Sequence, residues 1–443
     1  MKINNLLFGL LLLSFGSAFA QERTNLDLKD ALDLLLKNSN EVILANTKAE
    51  TKKYEWQQTK DHQLPDVKLS GQYFRLTDAD VDFKLNSGQS SGGSGAPAPQ
   101  VNQLMIGQAN ASLPIFAGGK IRNSIQASEN LYKAELAKSS NTKEETALKV
   151  IEYYAQLYKS LKTVELIQDN LKSAEQRVKD FTNLEQNGII ARNDLLKAQL
   201  QLAKVQLSLE EANKNVNVVN YALVTLLKLP EGYKIGIDEH QFDGNAPLTA
   251  IATSEQALQN RKDLEAIHFY QKANENNIKI ARSGYFPSIA LSAGYVALSL
   301  QNVVDVTNAI NFGGGISYNL SSLFKTPKEI KVAKSKSEEM KQTEAMLSEG
   351  IKIQTQQAFE NFALTQKQNK VYQQAIEQAT ENYRIVKDKH DNGLATTNDL
   401  LDADVEQLNA QINFANSRAN VLLKYYEMLS ASGLLTSSFN LTK

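Results

Sequence analysis

The stretch NGIIARNDLLKA at residues 187–198 returns in closely similar form as NGLATTNDLLDA at residues 392–403. In both copies an Asn-Gly pair is followed, in the same register, by Asn-Asp-Leu-Leu. Glycine supplies the positive φ that a tight turn requires. Two long copies of one pattern indicate an internal duplication and not an array of short repeats.

Strand-like segments lie upstream of each turn. LPDVKLSGQY at residues 64–73 parallels FPSIALSAGY at residues 286–295, and both alternate apolar with small or polar residues. We predict four strands, at about 66–76, 104–113, 287–299 and 309–320. Each has roughly the 9–11 residues that a tilted strand needs to cross a bilayer, and the polar face suits a water-filled lumen. The alternative is a half-buried strand of a soluble sheet.

Long helices follow each strand pair. Residues 120–187 contain neither Pro nor Gly, a run that could extend about 100 Å at ~1.5 Å per residue. We expect one break near Ser140, where Asn141 and Glu144 resemble a capping box. No proline is expected inside a helix, and Pro327 lies where the second half turns helical. Apolar residues at seven-residue spacing then predict a helical seam. The seam consists of Leu195, Leu202, Leu209, Val216 and Leu223, with partners Ala198, Val205, Ala212, Val219 and Leu226.

The N-terminus is typical of a secretory signal. Lys2 is followed by an apolar core at residues 6–13 and a small-residue cleavage site at 18–20. We expect residues 1–20 to be a signal peptide and the mature chain to begin at Gln21. No later apolar run approaches the ~18 residues of a membrane helix. Any later contact with a membrane must therefore use β-strands.

The composition excludes several kinds of chemistry. The chain has no cysteine, so disulfides, thiolate catalysis and a lipidated N-terminal Cys are impossible. A net charge of −1 gives no basic footprint for nucleic acid. The four histidines have no metal-ligand spacing. We therefore expect no cofactor, no metal, no nucleic-acid partner and no enzymatic activity.

Four strands cannot close a barrel, because the smallest barrels have ~8 strands. An open sheet edge in lipid would leave backbone groups unpaired at several kcal/mol each, so the chain must oligomerise. A dimer would give a plugged eight-stranded barrel, and a trimer a twelve-stranded barrel with a wider lumen. Transport favours the trimer.

The resulting organisation has two halves and a linker. The first repeat covers 21–229 and contains N-terminal helices, two strands and a helical hairpin at about 118–229. The second covers 254–431 and contains a helix, two strands and a helical hairpin at about 327–431. Residues 230–253 form a linker, and 432–443 a C-terminal tail.

These parts resemble the TolC family of outer-membrane efflux and secretion proteins. The resemblance covers nearly all of the mature chain and depends on the duplicated Pro-then-strand segments, the LPIFAGG stretch at 113–119 and the Asn-Gly turns. It implies an α+β membrane protein: a trimeric twelve-stranded β-barrel continued by a periplasmic α-helical coiled-coil barrel, with the linker and tail as an equatorial belt. The second half has SSLF at 321–324 where the first has Gly-Gly.

The resemblance also implies location and partners. The chain would lie in the outer membrane, in contact with its lipid, and extend into the periplasm. As a homotrimer it would be the exit duct of a tripartite efflux or type I secretion system. Its partners would be a periplasmic adaptor (membrane fusion protein) and an inner-membrane transporter of the RND, ABC or MFS type. An exported coiled-coil adaptor or scaffold without a pore is the alternative, but it would not need four amphipathic strands.

Candidate functional residues lie at the turns. Asp399 and Asp402, three residues apart on one helix face, resemble the family's acidic pore constriction, and a trimer would carry six such carboxylates. The alternative is that they complement the helix dipole. Asp194 is a possible entrance contact, although Lys197 follows it in the first copy. The candidate adaptor-docking residues of the two tips are Gly188, Ile189, Ile190, Gly393 and Leu394.

Overall fold

The computed structural model describes residues 24–79, 101–242 and 253–441, so the predicted signal peptide lies outside the described residues. The described helices are α1 Leu28–Asn38, α2 Asn40–Asp61, α3 Lys120–Gln186, α4 Arg192–Leu227, α5 Ser254–Asn260, α6 Lys262–Arg282, α7 Ser322–Asp391, α8 Thr397–Ala431 and α9 Leu435–Ser438. The described strands are β1 Thr24–Asn25, β2 Asp66–Ala79, β3 Val101–Ala117, β4 Ile235–Gly236, β5 Ser288–Leu300 and β6 Val304–Ser317.

The duplication predicted from the sequence is confirmed in the order of elements. β2, β3, α3 and α4 of the first half correspond to β5, β6, α7 and α8 of the second. In each half two antiparallel strands precede a long helical hairpin. Of the helices in the described residues, none is both long and apolar enough to span a bilayer.

The chain divides into two compact units, and the first of these holds the sheet. This sheet unit comprises residues 44–142 and 261–351. Its four strands are antiparallel in the order β2-β3-β5-β6. Neighbouring residues alternate between an apolar and a polar face. One transverse row is Leu69, Ala109, Tyr295 and Ile310, and the next is Lys68, Asn110, Gly294 and Asn311.

The observed strand ends differ from the predicted ones. β3 is longer than predicted and contains Pro114 at a register shift, beyond the last pair that β3 makes with β2. A proline is tolerated there because its missing N–H is not needed for that ladder. β6 ends at Ser317 and not at 320, because the Asn319 side chain accepts a hydrogen bond from the Ser321 N–H at 3.1 Å and starts a turn.

Two predictions about the helices are wrong. α3 has no break near Ser140, because Ser140 and Thr142 donate to the carbonyl groups four residues earlier and remain within the helix. Pro327 lies inside α7, which begins five residues before it. α7 begins with a 3-10 type hydrogen bond, which the Phe324 N–H donates to the Ser321 carbonyl three residues earlier. The proline therefore lies close to the point where the regular α-helix starts.

The second, helical unit comprises residues 24–43, 143–242, 253–260 and 352–441 of the described chain. Tyr154 and Tyr158 of α3 are buried and stack against Phe242, which follows the first half. Arg418 Nε of α8 donates to the Phe242 carbonyl at 3.0 Å. The described part of the linker is thus held against helices of both halves.

Asn141 and Glu144 do not start a new helix as we expected, because α3 runs through both residues. The Glu144 carboxylate accepts hydrogen bonds from the backbone N–H and the hydroxyl of Thr436, at the start of α9. Both residues are buried. The bond attaches the C-terminal segment to α3.

Candidate functional site

The two hairpin tips share one backbone geometry. Gly188 has φ +72° and Gly393 has φ +73°, the left-handed region that favours glycine. The N–H of the following residue, Ile189 or Leu394, returns to a carbonyl five residues earlier, at 2.9 and 2.7 Å. This is a Schellman-type helix end, which satisfies carbonyl groups that would otherwise lack partners.

The apolar residues at the tips divide into two groups. Ile189 is 67% exposed and Leu394 is 78% exposed. Ile190, by contrast, packs partly against a small core that includes Phe181 and Leu195. Ile189 and Leu394 are therefore available to a partner, whereas Ile190 also stabilises the tip.

Asp399 has a local structural role. Its carboxylate accepts hydrogen bonds from the N–H and hydroxyl of Thr396 at 2.8 and 2.7 Å, and its own N–H donates to the Thr396 hydroxyl at 3.2 Å. This reciprocal capping box starts α8. The hydrogen bonds from Thr396 lower the pKa of Asp399, so the carboxyl remains charged at neutral pH.

An acidic stripe follows along α8. Asp399, Asp402 and Glu406 are all exposed, at positions i, i+3 and i+7, which share one helix face. Leu400, Leu401 and Asp404 of the same segment are buried on the opposite side. Glu406 was not singled out from the sequence, although the same spacing could have identified it.

The first tip does not repeat this stripe. Asp194 is half-buried and pairs with Lys197 at 3.4 Å. Its charge is therefore largely balanced within its own helix. The acidic face belongs to the second hairpin.

A buried polar cluster lies behind the tips. Arg177 of α3 donates to Asp404 of α8 at 3.0 Å and to the Tyr383 hydroxyl of α7 at 3.2 Å. Burial acts to lower the pKa of Arg177, but the hydrogen bond and negative charge of Asp404 outweigh it, and the pKa is raised. No sequence pattern pointed to this cluster, because Tyr383 and Asp404 lie 206 and 227 residues from Arg177 along the chain. It joins the two hairpins.

Comparison with known proteins decides the family. The model of a family described as "Outer membrane efflux protein" matches residues 31–227 and 253–434. The chain belongs to the outer membrane efflux protein family. This is a family of transport channels and not of enzymes, and membership assigns the chain to the outer membrane.

Individual members of the family are only distantly similar to this chain in sequence. The cation efflux system protein CusC of Escherichia coli strain K12 is 28% identical over 258 residues, 55% of this chain and 53% of that protein. The chain thus aligns with about half the length of the curated relatives it matches. A crystal structure of CusC gives a TM-score of 0.79 at 16% identity, covering 93% of each chain. The Campylobacter jejuni CmeC outer membrane channel gives 0.78 at 19% identity, covering 98% of this chain and 94% of that one.

The predicted resemblance and fold are confirmed by these matches. The likeness to solved structures shows the duplicated strand-and-helix fold. The roles of Asp399, Asp402, Asp194 and the tip residues remain predictions.

Proposed function

We propose that three copies of this efflux-family protein form an outer-membrane channel, the exit duct of a tripartite efflux or type I secretion system. The observation that carries the proposal is the four-stranded sheet, in which β2 and β6 have no strand partner on their outer sides within the described residues. Because the chain belongs to an outer-membrane family, the backbone N–H and C=O groups of these edges need hydrogen-bond partners within a membrane.

The open edges require further copies. Unpaired backbone groups facing lipid cost several kcal/mol each, so β6 of one copy pairs with β2 of the next. Three copies give twelve strands, a barrel wide enough for a water-filled lumen. The row containing Leu69 and Ile310 then faces lipid, and the row containing Lys68 and Asn311 lines the lumen.

The acidic stripe on α8 supplies the entrance with selectivity. In a trimer Asp399 and Asp402 contribute six carboxylates, and Glu406 raises the number to nine. Rings of carboxylates favour cations and repel anions. The low pKa of Asp399 keeps its part of that charge at neutral pH. Asp194 adds little, since Lys197 neutralises it.

The hairpin tips receive the partners. Ile189 and Leu394 present apolar side chains beside turns fixed by Gly188 and Gly393. Exposed apolar groups on a rigid turn suit docking by a periplasmic adaptor, which would connect the channel to an inner-membrane transporter of the RND, ABC or MFS type. Ile190 acts mainly by holding the turn against the tip core.

Planar lipid bilayers test this function. The purified protein should give stable, cation-preferring currents. Asp399→Asn with Asp402→Asn should increase conductance and weaken cation preference. The matched control is Glu210→Gln with Glu211→Gln, which removes two exposed charges from α4 and should change neither.

Two results would count against the proposal. Protein that inserts but never conducts would contradict the channel. Normal conductance and unchanged selectivity in the tip double variant would contradict the acidic constriction alone.

A further inference from the structure

The helices of the sheet unit follow the order of its strands. The contacts that join them are the Trp56–Tyr132 ring stack at 5.9 Å, the Tyr270–Glu135 hydrogen bond at 3.4 Å and the His268–Glu344 pair at 2.9 Å. The order of the helices is therefore α2-α3-α6-α7, beside strands in the order β2-β3-β5-β6. α2 and α7 are the edge helices of this unit, just as β2 and β6 are its edge strands.

α7 has an inner and an outer side in this unit. Thr326, Ile330 and Ala333 lie at helical spacing, are buried or half-buried, and share the side of Glu344, which bonds α6. The opposite side carries four exposed residues at i, i+4, i+7 and i+11. These are Phe324, Lys328, Lys331 and Ser335, which we term the basic edge.

The basic edge lacks a partner within its own chain. Phe324 is 81% exposed. In the parts of the chain that the structure describes, no carboxylate lies within ion-pairing distance of Lys328 or Lys331. An exposed aromatic ring beside two unpaired cations is suited to an acidic, partly apolar surface.

α2 has the complementary arrangement. Its inner side bonds α3 through Asn46, Trp56 and Thr59. The opposite side carries exposed residues at i, i+3, i+7 and i+14, two of them acidic. These are Thr47, Glu50, Tyr54 and Asp61, which we term the acidic edge.

The connections between helix and strand place the two edges at the same distance from the sheet. Four residues, 62–65, separate the end of α2 from β2, and four residues, 318–321, separate β6 from the start of α7. If β6 of one copy pairs with β2 of the next, both edge helices leave that strand pair after connections of equal length. They then run antiparallel beside each other.

We propose that the basic edge of α7 packs against the acidic edge of α2 in a neighbouring copy of this chain. This inference rests on the proposed assembly and names the residues that guide it. The two edges differ in charge, so an edge cannot pair with its own kind. The contact is therefore head-to-tail, which is the kind that closes into a ring. Phe324 and Tyr54 supply the apolar part, and Lys328, Lys331, Glu50 and Asp61 supply the charges.

Cross-linking tests the contact without interference, because the chain has no native cysteine. Tyr54→Cys with Lys328→Cys, treated with a short bismaleimide in outer-membrane vesicles, should give covalent species up to a trimer on denaturing gels. The matched control is Tyr54→Cys with Ser337→Cys, since Ser337 lies on the inner side of α7 and should give monomer. Equal cross-linking of both pairs would overturn the inference.

Charge reversal tests the electrostatic part. Lys328→Glu with Lys331→Glu should reduce the fraction of assembled protein that survives mild heating in detergent at least threefold, and Glu50→Lys with Asp61→Lys should do the same. Combining all four changes should restore it. Lys334→Glu with Lys336→Glu, on other sides of the same helix, is the control for net charge. If trimers form but the Tyr54–Lys328 cysteine pair does not cross-link and the fourfold charge reversal does not restore assembly, this inference is wrong and the proposed channel stands. If the chain stays monomeric in the membrane, both the inference and the proposed channel are wrong.

Discussion

Replacing Asp404 with alanine should loosen the hairpin tips from within. The side chains of Arg177 and Asp404 are 9% and 4% exposed, so their ion pair is almost dry. Asp404→Ala leaves the guanidinium buried with only the Tyr383 hydroxyl as a described partner. Breaking a buried pair by removing one member costs about 3–5 kcal/mol. At 1.4 kcal/mol per tenfold change, local opening becomes roughly a hundred- to a few thousand-fold more frequent.

Hydrogen exchange measured by mass spectrometry reports this opening. Peptides around Arg177 and Tyr383 should lose that much protection in Asp404→Ala. Asp402→Ala is the matched control, because Asp402 is exposed on the same helix turn and should leave protection unchanged. Arg177→Met with Asp404→Leu should recover most of the loss, since a buried pair replaced by apolar groups is often neutral in stability.

Two outcomes would refute the reasoning. Equal exchange in the Asp404 and Asp402 variants would mean that the pair contributes nothing to tip stability. A double variant as loose as Asp404→Ala alone would mean that shape, and not the unpaired charge, causes the loss.

Three further predictions use other parts of the chain. Gly393→Ala should destabilise its tip by about 1–2 kcal/mol, because φ is +73°. Gly350→Ala should stabilise the protein by roughly 0.5–1 kcal/mol, because Gly350 lies inside α7 and a Cβ there would meet no other atom. The urea unfolding midpoints of the two variants should therefore shift in opposite directions. The stability that Asp399 gains from Thr396 should be full above the ordinary pKa of aspartate and lost as the pH falls through its lowered pKa; melting of Asp399→Asn should thus match the wild type only in acid. Gly118→Ala should cost about 1–3 kcal/mol in thermal unfolding, because φ is +60° and its Cβ would approach the Ser283 carbonyl oxygen to 2.8 Å, and an unchanged midpoint would show that this backbone moves apart freely.

Most of the fold could be predicted because it is encoded by local, periodic signals. The Asn-Gly pairs mark the tips at Gly188 and Gly393, and the seven-residue spacing from Leu195 to Leu223 marks the helix after the first tip. The ends and breaks of the helices were harder to predict, because they depend on single side chains. Ser140 and Asn141 are residue types that fit a helix break, yet in the structure the Ser140 and Thr142 hydroxyls bond back along a continuous α3. Pro327 shows the opposite case, a helix-breaking residue accepted close to a helix start.

The candidate site was only partly visible in the sequence. Asp399 and Asp402 were found because they are adjacent on one helix face. Arg177 and Asp404 were not, because a pairing between residues 227 apart depends on how three helices pack. The capping role of Asp399 shows that one carboxylate can serve local folding and still contribute charge to an entrance.

Native mass spectrometry of the protein extracted from outer membranes tests the central claim most directly. The open edges of β2 and β6 predict one dominant species with three times the mass of the mature chain. A stable monomer in the same extracts would contradict the account. It would mean that a four-stranded sheet with two unpaired edges is stable in lipid, which the cost of unpaired backbone groups forbids.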